Sequence, residues 1–104
     1  MENLNIRVVA NKAAKQHRVV LKQDEGESHY GSFAISESNR ERPIQGTIYA
    51  VSPPNKDFGD CDVQVGDKVL YHPHGGNEIE IDEETYLVME ESKIFVILNQ
   101  KNHL

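Results

Sequence analysis

The chain has no Trp, a single Cys and no long apolar run, and each absence excludes something. One cysteine, Cys61, excludes a disulfide within the chain. No stretch approaches the roughly 20 apolar residues that a membrane-spanning helix needs. The opening residues, MENLNIRVVA, carry an acid at Glu2 and lack the apolar centre of a signal peptide, so a protein of a reducing cytoplasm is expected. Bases are also scarce, 11 against 17 acids, for a net charge of −6. Phosphate recognition needs clustered Lys and Arg, so neither nucleic acid nor a membrane surface is an expected partner. The one basic-leaning stretch, Arg7 to Lys22, is interrupted by apolar residues. No Gly-Lys phosphate loop is present, and no cofactor is expected. Apolar residues make up only 38% of the 104. That is little for one domain to stand on alone, and it leaves room for stabilisation by assembly.

What is there is a series of short β-branched runs. Ile6 to Val9, Val19 to Leu21, Thr47 to Val51, Lys68 to His72, Glu78 to Asp82, Thr85 to Met89 and Ile94 to Leu98 all read as strands. Glu78-Ile79-Glu80-Ile81-Asp82 alternates with period two, the pattern of a half-buried strand. Turns fall at Gly66-Asp67, Gly75-Gly76, Asp82-Glu83-Glu84 and Glu90-Glu91-Ser92, and Pro53-Pro54 ends the Thr47 run. Lys12-Ala13-Ala14-Lys15 permits a helix but is too short to hold one alone. Strands at roughly ten-residue spacing point to an all-β barrel or sandwich in one domain spanning residues 1–104. The exception is Asp24 to Arg42, rich in Gly, Ser, Glu, Asn and Arg, with one apolar island at Phe33-Ala34-Ile35. A loop of that length in a compact domain is functional or disordered.

Catalytic and metal-binding readings are weak. His72-Pro73-His74 places two imidazoles two apart, but no third ligand stands at useful spacing, so a solvated turn is expected. Glu78, Glu80, Asp82, Glu83 and Glu84 read as a solvated strand face and turn. No nucleophile–base pair is visible, although folding alone decides whether Cys61 meets His17 or His72. No catalytic residue and no metal ligand are assigned.

The order of motifs carries more. Val63-Gln64-Val65-Gly66-Asp67-Lys68-Val69 is followed by Pro73, Gly75-Gly76, a short acidic strand, Glu84-Thr85-Tyr86-Leu87-Val88-Met89, then Glu91-Ser92-Lys93-Ile94 and an apolar end. This succession resembles the C-terminal half of the GroES-type co-chaperonins, the chaperonin-10 family. Asn5-Ile6-Arg7, His17-Arg18-Val19-Val20-Leu21 and Gly46-Thr47-Ile48-Tyr49-Ala50-Val51 resemble the family's earlier strands, with His17 where the family has Asp. Three departures stand out. Asn11 to Gln16 reads as an insertion. Ser52 to Asp62 is shorter than the family's roof hairpin, which implies a reduced roof. Gly31-Ser32-Phe33-Ala34-Ile35 replaces the family's more aliphatic loop tripeptide. Such divergence suits a virus-encoded or specialised member, which would act in the host cytoplasm.

The resemblance implies a small, irregular GroES-like β-barrel with a mobile loop over 24–42. It implies a heptameric homo-oligomeric ring that caps a GroEL-type chaperonin and encloses unfolded client protein. Gly31, Ser32, Phe33, Ala34 and Ile35 would bind the chaperonin's apical domains. Ile6 and Val8, with Ile94, Val96 and Leu98 of a neighbour, would join subunits. The acidic run from Glu78 to Glu84 would line part of the dome. The chaperonin, not this chain, would hydrolyse ATP. The competing reading is a small β-barrel interaction module, monomeric or a low oligomer, that uses the 24–42 loop on another partner. The GroES-like domain of medium-chain alcohol dehydrogenases is disfavoured, because the cofactor domain and zinc ligands are missing.

Overall fold

A computed structural model describes residues 6–24 and 44–98. Six strands are present: β1 (Arg18–Gln23), β2 (Ile44–Val51), β3 (Lys68–Tyr71), β4 (Asn77–Ile81), β5 (Glu84–Glu90) and β6 (Ile94–Leu98), with one 3₁₀ turn at Glu91–Lys93 before β6. They form one antiparallel sheet in the order β4-β5-β1-β2-β3-β6. This is the all-β architecture expected from the strand spacing, and it agrees with the small GroES-like barrel that the resemblance implies. The sheet wraps one core of Val19, Leu21, Ile48, Val63, Val69, Tyr71 and Met89, against which Ile94 and Ile97 of β6 also pack. Each such side chain removed from water contributes about 1.5–3 kcal/mol.

Two bulges give the sheet its bend. Between Val20 and Leu21 the β1–β2 register jumps from Ala50 to Ile48, which leaves Tyr49 as the extra residue. Its ring meets Tyr86 edge-on at 5.3 Å, on the side of the sheet away from the core cluster. Central strand β1 buries three consecutive residues, Val19, Val20 and Leu21, instead of alternating. Between Leu70 and Tyr71 the β3–β6 register jumps from Val96 to Ile94, so Phe95 is the extra residue of β6.

Glycine is required where β1 and β2 come closest. A Cβ on Gly46 would lie 2.9 Å from the Lys22 carbonyl oxygen and 3.0 Å from Tyr71. Gly66 has φ +97° in the turn before β3. There its N–H donates to the Ile48 carbonyl while Ile48 N–H donates to the Asp67 carbonyl. Asp82 and Glu83, both at positive φ, make the two-residue β4–β5 hairpin that the Ile81–Glu84 register demands.

Two expectations change, at Ile6 to Val9 and at His72. Ile6 to Val9 lies outside any strand. Within the described residues its backbone has no ladder partner, and Val9 is exposed. The Asn11–Gln16 insertion, too short to hold a helix, is a tight backbone-paired turn. Asn11 and Gln16 exchange backbone bonds of 2.8 and 3.0 Å, and the Asn11 amide reaches Glu90 at 2.6 Å. β3 ends at Tyr71 rather than His72, because the His72 N–H already turns toward the Lys93 carbonyl at 2.9 Å.

Candidate functional site: an apolar edge and the root of a loop

The five residues expected to meet the chaperonin, Gly31 to Ile35, lie outside the described residues. The structure places two other features: the sheet's β6 edge, and the strand ends, Asp24 and Ile44, that flank segment 25–43 in the chain.

β6 is the last strand of the sheet, so one side of its backbone has no ladder partner among the described residues. It is apolar throughout, Ile94-Phe95-Val96-Ile97-Leu98. A strand has two faces, and a core covers only one. The Phe95 bulge divides the set: Ile94 and Ile97 pack on the core, whereas Phe95 and Val96 stand 51% and 39% exposed. Ile94, Val96 and Leu98 therefore do not form one continuous row, as a regular period of two would make them. Phe95, absent from the sequence-based set, is the most exposed residue of the strand, and its ring rests edge-on against His72 at 5.9 Å. Ile6 and Val8 are half-buried, and no ladder among the described residues brings them to β6. An open groove of about 580 Å³ runs beside the strand, walled by His17, Phe58, Asp60, Asp62, Val63 and Glu91.

His17 builds the far wall of that groove. It is 2% exposed and uses both ring nitrogens. Nε2–H donates to the Gly59 carbonyl at 2.8 Å, and Nδ1 accepts from the Ser52 hydroxyl at 2.6 Å. The Ser52 oxygen in turn accepts the Arg18 N–H at 3.1 Å. A carbonyl only accepts, which fixes the proton on Nε2. Phe58 stacks obliquely on the ring at 4.9 Å. The segment after Pro53-Pro54 is thereby folded down as a compact turn, closed by paired Asn55 and Gly59 backbone bonds. His17→Ala is expected to cost about 2–4 kcal/mol, because Gly59 and Ser52 lose their partner in a buried site. A drop in thermal midpoint of several degrees checks this; an unchanged midpoint would show that the turn holds itself.

At the other end of the sheet, Asp24 collects three donors. Thr47 Oγ1 donates at 2.8 Å, Gln45 Nε2 at 2.5 Å and Lys68 Nζ at 3.2 Å. Burial by itself would raise the carboxyl, but the bonds from Thr47, Gln45 and Lys68 outweigh it and hold Asp24 below the ordinary carboxylate range. Its stabilisation is therefore present above the unfolded-chain pKa and is lost as pH falls through the lowered folded value. Nearby Tyr71 is pushed up to about 12, by burial first and then by the Asp24 charge.

Among the described residues no catalytic constellation accompanies these features. Both His17 nitrogens are occupied, so no Cys61–His17 pair forms. The half-buried Cys61 thiol is pushed up to about 11 by burial, with the Glu91 and Asp62 carboxylates adding to it. Such a thiol is a poor nucleophile at neutral pH. His72 and His74 rings lie 6.2 Å apart, with the His74 N–H donating to His72 Nδ1. Among the described residues no three His, Cys, Asp or Glu side chains gather as a metal site, and no helix is long and apolar enough to cross a membrane.

The family model described as "Chaperonin 10 Kd subunit" matches residues 12–98, from the insertion to the end of β6. The chain belongs to the chaperonin 10 family. Curated relatives agree. A co-chaperonin GroES from Parabacteroides distasonis is 38% identical over 96 residues, which covers 91% of this chain and all of that protein. One from Gemmatimonas aurantiaca is 37% identical over 86 residues, 79% of this chain and 89% of its own length. One from Chloroherpeton thalassium is 40% identical over 86 residues, 78% and 90% respectively. The chaperonin 10 match takes in both Phe33-Ala34-Ile35 and β6, while Ile6 and Val8 fall outside it.

Proposed function

We infer that this chain is a co-chaperonin, a non-enzymatic subunit of a heptameric lid that caps an ATP-driven, GroEL-type chaperonin over an unfolded client. The observation that carries the reading is the chaperonin 10 match across loop and last strand together. Physical chemistry supports each half. Phe33 and Ile35 are two apart, so an extended segment points both to one side, into an apolar groove of the chaperonin's apical domain. Gly31, Ser32 and Ala34 allow close approach. Each buried apolar side chain contributes about 1.5–3 kcal/mol, while fixing each backbone residue costs about 1–2 kcal/mol. One loop alone binds weakly. A ring presenting several loops gains by effective concentration and remains releasable.

The apolar β6 edge supplies the ring contact. An unpaired, apolar edge strand invites association, and closure of a ring makes that association finite. Ile6 and Val8 of one subunit meet Val96, Phe95 and Leu98 of the next, with Ile94 behind them. The short 52–62 turn leaves the top of the dome open, and Glu78 to Glu84 give its wall negative charge. The ring works in the cytoplasm, and ATP hydrolysis belongs to the chaperonin. Refolding of a chaperonin-dependent client with ATP tests the reading. The chain is expected to raise the yield over chaperonin and ATP alone; an equal yield for several clients would contradict it.

A further inference from the structure

Asp24 is the last described residue before segment 25–43, and Ile44 is the first after it. The β1–β2 ladder runs to the Gln23–Gly46 pair. One more bond, from the Asp24 N–H to the Gln45 carbonyl at 3.0 Å, carries the pairing to the point of departure. The side chain adds to this pairing. Its carboxylate takes Thr47 and Gln45 from β2 and Lys68 from β3. Lys68 also donates to Thr47 Oγ1 at 2.8 Å, so the cluster is closed on itself. Thr47 and Lys68 are cross-strand partners, and one carboxylate thus ties three adjacent strands at the last described residue before segment 25–43. The Asp24 side chain is only 17% exposed although it lies beyond the end of its strand.

Strand ends held by backbone bonds alone fray. Each residue released there lengthens the loop and adds chain that must be ordered on binding. We propose that Asp24 is a positioning residue for partner binding: held by Thr47, Gln45 and Lys68, it fixes where segment 25–43 begins and so sets the affinity of the ring for its chaperonin. This rests on the loop-binding reading above. Asp24 touches no partner itself and acts through the segment it anchors. The effect per loop is small, and simultaneous engagement of several loops multiplies it.

The test uses the full-length assembled protein with four variants: Asp24→Ala, Asp24→Asn, Thr47→Val and, as a loop control, Phe33→Ser with Ile35→Ser. Binding to nucleotide-loaded chaperonin is measured beside hydrogen exchange of the Asp24 amide in the free ring. Asp24→Ala is expected to weaken ring binding about tenfold or more, as modest losses compound over loops. Exchange of the position-24 amide accelerates, while ring mass is unchanged. Asp24→Asn still accepts from Thr47 but does not pair with the Lys68 charge, and it falls between wild type and Ala in both readouts. Thr47→Val follows Asp24→Asn. That graded rescue, with an unchanged ring, separates positioning from general loss of stability. Faster exchange with unaltered affinity overturns the proposal and leaves the loop-binding reading intact, provided the loop control has lost binding. Unaltered exchange in Asp24→Ala also overturns it. A loop control that binds like wild type overturns the loop-binding reading and this proposal with it.

Discussion

Replacing Phe33 and Ile35 together by Ser is expected to abolish capping while leaving ring mass unchanged. On the proposed loop contact each substitution would remove about 1.5–3 kcal/mol of apolar burial per loop, and every subunit of the ring would carry both. The ordering cost of the loop stays, so what remains per loop is net unfavourable. The loss is therefore not the modest weakening expected for a single interface pair: multivalent binding fails as a whole when its individual contacts turn unfavourable. Binding of the nucleotide-loaded chaperonin to immobilised ring reads this directly. Full capping by the double variant would place the contact elsewhere in the chain.

Val96→Lys is expected to break the ring into monomers that still fold. Val96 is 39% exposed within one chain and faces away from the core, opposite Leu70, so a lysine there costs the barrel little. Packed against a neighbour's Ile6 and Val8, the same ammonium would lose its water without gaining a counter-charge, at several kcal/mol per contact. The cost recurs at every junction of a closed ring. Native mass should fall to that of one chain, with an unchanged β-sheet spectrum. A ring mass for Val96→Lys would show that β6 is not the junction. Phe95→Ser offers a milder version, since it removes apolar area without adding charge.

How much of this was legible in the sequence depends on the physics of each part. Six of the seven expected strands formed because short β-branched runs and Gly-Asp or Pro-Pro punctuation are local signals. The run at Ile6 to Val9 has the same β-branched composition, but a strand also needs a partner, and the described residues do not supply one. The Phe95 bulge was hidden because register depends on β3, not on β6 alone. In the sequence His17 stands out as a departure from the family's Asp and as one candidate partner of Cys61. That its two nitrogens would clasp Ser52 and Gly59 depends on residues far away in the chain. Asp24 read as the first residue of a polar loop, and nothing local distinguishes it from its neighbours. Its partners, Gln45, Thr47 and Lys68, are brought together only by the β1-β2-β3 pairing.

The central claim is that this chain closes into a ring and caps a chaperonin. Native mass measurement of the purified protein, alone and with a GroEL-type chaperonin and nucleotide, tests both parts at once. The expected result is a species seven times the mass of one chain, joined by a nucleotide-dependent complex of that ring with the chaperonin. A stable monomer at micromolar concentration, or a ring that never joins the chaperonin in any nucleotide state, would contradict it.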